Sequence, residues 1–161
     1  MTVSGAGAIE RVGVVGAGAM GGGIVEVVAK AGVPVVVRDI SASAVDAGRA
    51  RVEASLGKAV ERGKLEPAAR DAALERITWT TDLGDLAGCG LVIEAAVENL
   101  DLKRTIFAEL EVVVGADTIL ATNTSSIPVI DIAMASARPE QVIGVHFFNP
   151  APVMKLVEVI A

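Results

Sequence analysis

Short unbroken apolar runs alternate along this chain with longer stretches in which apolar residues return every three or four positions. RVGVVG (11–16), VPVVVRD (33–39), GLVIEAA (90–96) and TILATN (118–123) are brief and apolar, the pattern of strands buried on both faces. Between the first two, Met20, Ile24, Val27, Val28 and Ala31 share one helical face; Gly32 ends that helix and Pro34 follows just beyond. Val45, Val52, Leu56 and Val60 predict a long helix from about residue 42 to 62. Glu66-Pro67 opens a shorter one, where the missing proline N–H costs nothing. WTT (79–81) predicts a short strand, and Leu102, Ile106, Leu110 and Val113 mark a further helix. IPVIDIAMA (127–135) reads as helical, then QVIGVHFF (141–148) and MKLVEVI (154–160) as strands. Strands alternating with helices predict an α/β fold, a doubly wound, mostly parallel sheet with helices on both faces, over residues 10–161. Residues 1–9 are expected to be a flexible N-terminus, and the chain shows no repeat, linker or low-complexity tract.

Composition narrows this picture. With 52% hydrophobic and 21% charged residues among 161, the chain can bury a real core and is not disordered. Only 2% of residues are aromatic and none is Tyr, so the core must be built from Val, Ile, Leu and Ala. A net charge of −6 argues against non-specific binding to nucleic acid or an anionic membrane. It leaves room for a phosphorylated ligand, which a helix N-terminus can hold. The single cysteine, Cys89, forms no internal disulfide and reads as a small buried apolar residue. No apolar run reaches the ~18 residues of a membrane span. MTVSGAGAIE lacks the basic start and apolar stretch of a secretory signal, so a cytoplasmic protein is expected, with no metal site.

The loop GAGAMG, formed by Gly16, Ala17, Gly18, Ala19, Met20 and Gly21, has the form G-x-G-x-x-G. Alone it is a weak signal, because Gly-x-Gly arises cheaply in a Gly-rich chain. Here it follows a predicted strand and opens a predicted helix, the setting of a Rossmann-type dinucleotide site. Gly16 allows the tight turn, Gly18 lets a pyrophosphate approach the backbone, and Gly21 lets the helix pack against the strand. Asp39 lies 18 residues beyond Gly21, where a carboxylate accepts from the adenosine ribose hydroxyls. It would repel a 2′-phosphate, which favours NAD over NADP; the neighbouring Arg38 is the counter-signal.

The remaining chemistry lies toward the end of the chain. VIGVHFFNPAPVMKLVEV contains the only histidine, His146, and a glutamate, Glu158, on the next predicted strand. Taken with VGVVGAGAMGGGIV, LVIEAAVENLDLKRTIFAEL and ILATNTSSIPV, these segments resemble the NAD-binding domain of the 3-hydroxyacyl-CoA dehydrogenases, from about residue 10 to the last. The resemblance implies reversible oxidation of an (S)-3-hydroxyacyl-CoA to a 3-ketoacyl-CoA with NAD. His146 of HFFNP is then the general acid/base; an imidazole, with an unperturbed pKa of about 6.5, exchanges protons near neutrality. Glu158 of LVEV holds the other ring nitrogen, as the orienting acid of a triad does. By the same resemblance, Ser125 of NTSS would bond the substrate oxygen at C3 and lie against the cofactor. Asn149 of HFFNP would stand at the cofactor–substrate boundary. Glu98 and Lys103 of VENLDLK match positions near the cofactor, and Ser55 with Lys64, by a looser motif, matches the region that contacts CoA. An acyl-CoA partner (acetoacetyl-CoA among the short-chain ones), a homodimer in the intact family and a mostly helical further domain absent from this sequence are also implied. The 161 residues would then be the cofactor-binding half, with little turnover alone.

Residue type alone supports blander readings. A lone histidine beside two phenylalanines is more often a core or loop residue. Glu158 in an apolar strand, with Leu156 and Ile160 on its face, is costly to bury unless partnered. On neighbouring parallel strands, about 4.8 Å apart, His146 and Glu158 would reach each other. Ser125 would also serve as a helix cap before IPVIDIA, Glu98 and Lys103 as a solvated helix start, and Met20 and Met154 as core. A non-catalytic NAD-binding or structural protein, or a dehydrogenase of a free hydroxy or sugar acid, remain the alternatives.

Overall fold

A computed structural model describes residues 9–161; the flexible stretch expected over 1–9 falls, apart from Ile9, outside the described residues. Seven strands form one sheet: β1 (Val12–Val15), β2 (Val35–Arg38), β3 (Ile77–Thr80), β4 (Leu91–Glu94), β5 (Ile119–Thr122), β6 (Val142–Phe147) and β7 (Val157–Ile160). Their spatial order is β3-β2-β1-β4-β5-β6-β7. All neighbours pair parallel except β6 and β7, which run antiparallel. Five helices, α1 (Ala19–Lys30), α2 (Ala42–Glu61), α3 (Pro67–Glu75), α4 (Leu100–Val113) and α5 (Val129–Ala133), connect them.

The apolar runs alternate between two layers. Val35 and Val37 of β2 join Ile24 and Val25 of α1 and Leu56 of α2 on one face. Val36 joins Phe107 and Leu110 of α4 and Ile132 of α5 on the other. Covering both faces removes any polar alternation from the inner strands, which is why β1 reads VGVV and is buried throughout. Each such Val or Leu contributes about 1.5–3 kcal/mol by leaving water. Cys89 is buried in the second layer, and burial pushes its thiol up despite the opposing charge of Arg11.

Local chemistry sets the helix ends. The Ser41 hydroxyl accepts from Ala44 N at 3.2 Å and the Asn99 carbonyl from Leu102 N at 2.9 Å, N-caps worth about 1 kcal/mol each. Pro67 stands in the first turn of α3, as the spacing predicts. The predicted helix over 127–135 is shorter: the Thr124 hydroxyl accepts from Ile127 N at 3.0 Å, which holds 124–127 in a turn, and Pro128 precedes the first helical residue. The predicted strand over 154–160 also contracts, to β7, because 151–153 form a turn and 154–156 pair with nothing in the sheet. Met154 is therefore not core but exposed, whereas Met20 packs half-buried against the first layer.

Candidate functional site

The sheet order reverses between β1 and β4, and the glycine loop leaves β1 at that point. Gly16 adopts φ +102°, a turn closed to most other residues. A Cβ on Gly21 would stand 1.8 Å from Gly16 O, so only glycine lets α1 begin this close to the loop. A Cβ on Gly18 would meet nothing within 4 Å. Gly18 thus marks space in front of the N-terminus of α1, where the N–H groups of Ala19 and Met20, without partners among the described residues, and the helix dipole favour a phosphate. Asp39 is held ready beside it: Oδ2 accepts from Ala17 N and Oδ1 from Ile40 N, each at 2.7 Å. Open backbone at Gly18, donors at α1 and an oriented carboxylate at Asp39 fit a dinucleotide with free ribose hydroxyls.

Two recesses flank this point and share Ala95 and Ala96, just past β4, as a common wall. One, of about 440 Å³, runs from Gly16, Gly18 and Asp39 toward α4. The other, of about 420 Å³, contains Met20, Glu98, Ser125, His146 and Asn149. A ligand crossing the alanine wall would reach from the first into the second, which matches the crevice at the carboxyl ends of an open α/β sheet.

His146, which lines the second recess, is the direct cross-strand partner of Glu158, and its Nδ1 lies 2.8 Å from Glu158 Oε2. The expectation of neighbouring parallel strands is thus corrected: antiparallel pairing sets opposed side chains on one face. Burial does not enforce the pair either. The Glu158 side chain is 52% exposed, on a strand whose four residues are all exposed, and that of His146, on β6, is 18% exposed. With Nδ1–H donated to the carboxylate, the neutral ring keeps a lone pair on Nε2. The ring also tilts against Phe148, centroids 4.6 Å apart. Asn149, joined to Pro150 by a cis peptide, lies exposed at the recess mouth.

Ser125 is not a helix cap; that turn is closed by Thr124. Ser125 N donates to Glu98 Oε1 at 3.2 Å, and its hydroxyl makes no hydrogen bond among the described residues. The same Glu98 oxygen accepts from the Thr124 hydroxyl and from Ser126 N and Oγ at 3.3 and 3.2 Å. Desolvation would raise the Glu98 pKa, but the bonds from Thr124, Ser126 and Ser125 and the charge of Lys103 outweigh it and hold the carboxyl at about 2.

Lys103 is not solvated. It is 1% exposed, with Nζ 2.7 and 2.9 Å from the two oxygens of Glu94, itself 0% exposed, and 3.6 Å from Glu98 Oε2. Glu94 also accepts from Ala96 N at 2.6 Å and from Thr122 Oγ1 at 2.8 Å. Lys103 therefore lies behind the 95–98 segment, which it braces, rather than on the recess surface. Glu94, Thr122 and Thr124 escape a reading for catalysis. Glu94 alone leaves a trace, an acid closing an apolar run with a lysine nine residues on. Asn123, whose Oδ1 accepts from Phe147 N at 2.8 Å, ties the ends of β5 and β6 together.

Ser55 belongs to a third recess, beside Glu26 and Arg51, and gives its hydroxyl proton to Glu26 Oε2 at 2.6 Å. Lys64, exposed in the turn after α2, does not line it. No helix among the described residues is long and apolar enough to cross a membrane.

Residues 11–161 match the family model of the 3-hydroxyacyl-CoA dehydrogenase NAD binding domain. The chain is 53% identical over 154 residues to a 3-hydroxybutyryl-CoA dehydrogenase of Mycobacterium tuberculosis, covering 95% of this chain and 54% of that protein. It is 47% identical to the 3-hydroxyadipyl-CoA dehydrogenase of Escherichia coli K12, over 95% of this chain and 32% of the other. The crystal structure of (S)-3-hydroxybutyryl-CoA dehydrogenase from Ralstonia eutropha superposes with a TM-score of 0.92 at 46% identity, over 94% of this chain and 54% of that one. The chain spans about half the length of these 3-hydroxybutyryl-CoA dehydrogenases.

Proposed function

The chain belongs to the NAD-binding domains of the 3-hydroxyacyl-CoA dehydrogenases, and from that premise we propose that it serves the reversible oxidation of (S)-3-hydroxyacyl-CoA to 3-ketoacyl-CoA in the cytoplasm, acetoacetyl-CoA being one such product. One observation carries the reading. The His146–Glu158 pair opens onto the recess that holds Ser125 and Asn149, one alanine wall from the glycine loop.

NAD supplies the hydride acceptor when bound. Glu158 fixes the ring of His146 by accepting from Nδ1–H, so Nε2 takes the proton of the 3-hydroxyl and returns it in the reverse direction. The carboxylate also stabilises the imidazolium formed on the way. Ser125 donates its unengaged hydroxyl to the oxygen at C3, and Glu98 holds Ser125 there through its backbone N–H. Asn149 marks the boundary between cofactor and substrate. Ser55, its own proton given to Glu26, meets CoA as an acceptor, and Lys64 offers an exposed cation to its phosphates.

Two measurements test this: titration of the chain with NADH and NADPH, and acetoacetyl-CoA-dependent NADH oxidation by wild type and His146→Gln. NADH binds in preference to NADPH, because the Asp39 carboxylate would repel a 2′-phosphate. His146→Gln lowers the rate, measured alone and with the family's helical domain supplied, by about a hundredfold or more and leaves NADH affinity within about twofold. Absence of NADH binding, or an undiminished rate in the variant, defeats the reading.

A further inference from the structure

Three large apolar side chains stand exposed around the first recess: Ile40 after β2, Val97 after β4 and Leu102 on α4, at 79%, 69% and 40%. Single exposed apolar side chains need no explanation, but three converging beside Asp39 form a slot for a flat apolar surface. The inference rests on the NAD reading above, which places the adenosine ribose at Asp39 and so the purine in this slot.

The rim of the slot on α4 carries Thr105 and Glu109, one turn apart on the same helix face. Both offer lone pairs only. An ionised carboxylate has no proton to donate. The Thr105 hydroxyl gives its proton to Asp101 O at 2.9 Å, which leaves only its oxygen to meet a ligand. The cation of this recess, Arg38, is on β2, not on α4, and donates Nε to Thr81 O at 3.4 Å. An acceptor-only rim welcomes an amino group and repels a carbonyl oxygen. We propose that Thr105 and Glu109 select the dinucleotide's purine by its 6-amino group, making α4 a determinant of base specificity.

The test is equilibrium titration with NADH and with reduced nicotinamide hypoxanthine dinucleotide, which carries a 6-oxo group in place of the amine. Wild type prefers the amino form by about tenfold, the ~1.4 kcal/mol of one hydrogen bond gained against one repulsion. In Glu109→Gln, whose amide can turn a donor toward the oxo group, the preference falls to about threefold or less. Thr105→Val narrows it by a smaller factor. Thermal midpoints of both variants stay at the wild-type value, since both positions are exposed. Equal affinity of the wild type for the two dinucleotides, or a preference that both variants leave intact, overturns the proposal. Failure of either dinucleotide to bind the wild type overturns instead the NAD reading, and the proposal with it.

Discussion

At the end of β4 and on the β6–β7 edge, a glutamate grips a basic side chain across nearly the same distance, 2.7 Å for Glu94–Lys103 and 2.8 Å for Glu158–His146. The surroundings differ. The first pair is sealed from water, and every oxygen of Glu94 has a partner; the carboxylate of the second stands on an exposed edge strand. Distance therefore says nothing about role. Sealed, the pair is a brace: it welds α4 to the ends of β4 and β5 and sets the 95–98 segment that separates the two recesses. Exposed, the pair contributes little to stability, but a proton can enter and leave its ring.

The largest effect comes from breaking the sealed pair. Lys103→Met leaves the Glu94 carboxylate buried without a counter-charge, which costs about 3–5 kcal/mol in urea denaturation. Glu94→Leu combined with Lys103→Met removes both charges and recovers most of that loss, because an apolar pair escapes the desolvation penalty. A single variant within about 1 kcal/mol of wild type would show that water reaches Glu94 and that the brace is not one.

Glu98 lies between the two regimes. It is partly exposed, yet it accepts four hydrogen bonds from residues 124–126 and stands near Lys103. Its folded pKa of about 2 lies below the ordinary 4.5. The stability it contributes is therefore fully present above about pH 4.5 and is lost as pH falls through about 2. Glu98→Gln is expected to be less stable than wild type at pH 6, and the gap should close as pH falls through that window. Parallel stability curves from pH 6 to pH 2 would mean that the carboxylate is not held by these bonds.

The same contrast explains what could be read from the sequence. Inner strands such as VGVVG and LVIEAA announce themselves because burial on both faces demands unbroken apolar runs. The glycine loop and Asp39 are legible because backbone geometry at a tight turn restricts residue choice at fixed spacing. The edge is different. β7 is exposed, so its apolar residues carry no burial signal, and its antiparallel direction rests on hydrogen bonds to β6 that periodicity does not encode. His146 and Glu158 could be named from the HFFNP and LVEV motifs, but their one-to-one register could not. Lys103 was open to a solvated reading because a helix start rich in charge looks solvated from its own residues; its partner Glu94 sits on another element. Thr124 and Glu98 meet across 26 positions, and nothing local in either segment foretells it.

The smallest expected change in stability comes from the exposed pair, and there it is the most informative. In Glu158→Gln the amide still reaches the ring, so geometry survives while the negative charge does not. An exposed ion pair is worth about 0–1 kcal/mol, so the urea midpoint should barely move, in contrast to Lys103→Met. On the proposed function, the acetoacetyl-CoA-dependent rate should fall by about tenfold or more, because the uncharged amide no longer supports the imidazolium that gives its proton to the C3 oxygen. That combination, a still midpoint with a lower rate, separates a positioning carboxylate from a structural one. A loss of several kcal/mol with an undiminished rate would mean that the edge pair is a second brace and that the contrast between the two pairs is one of exposure only.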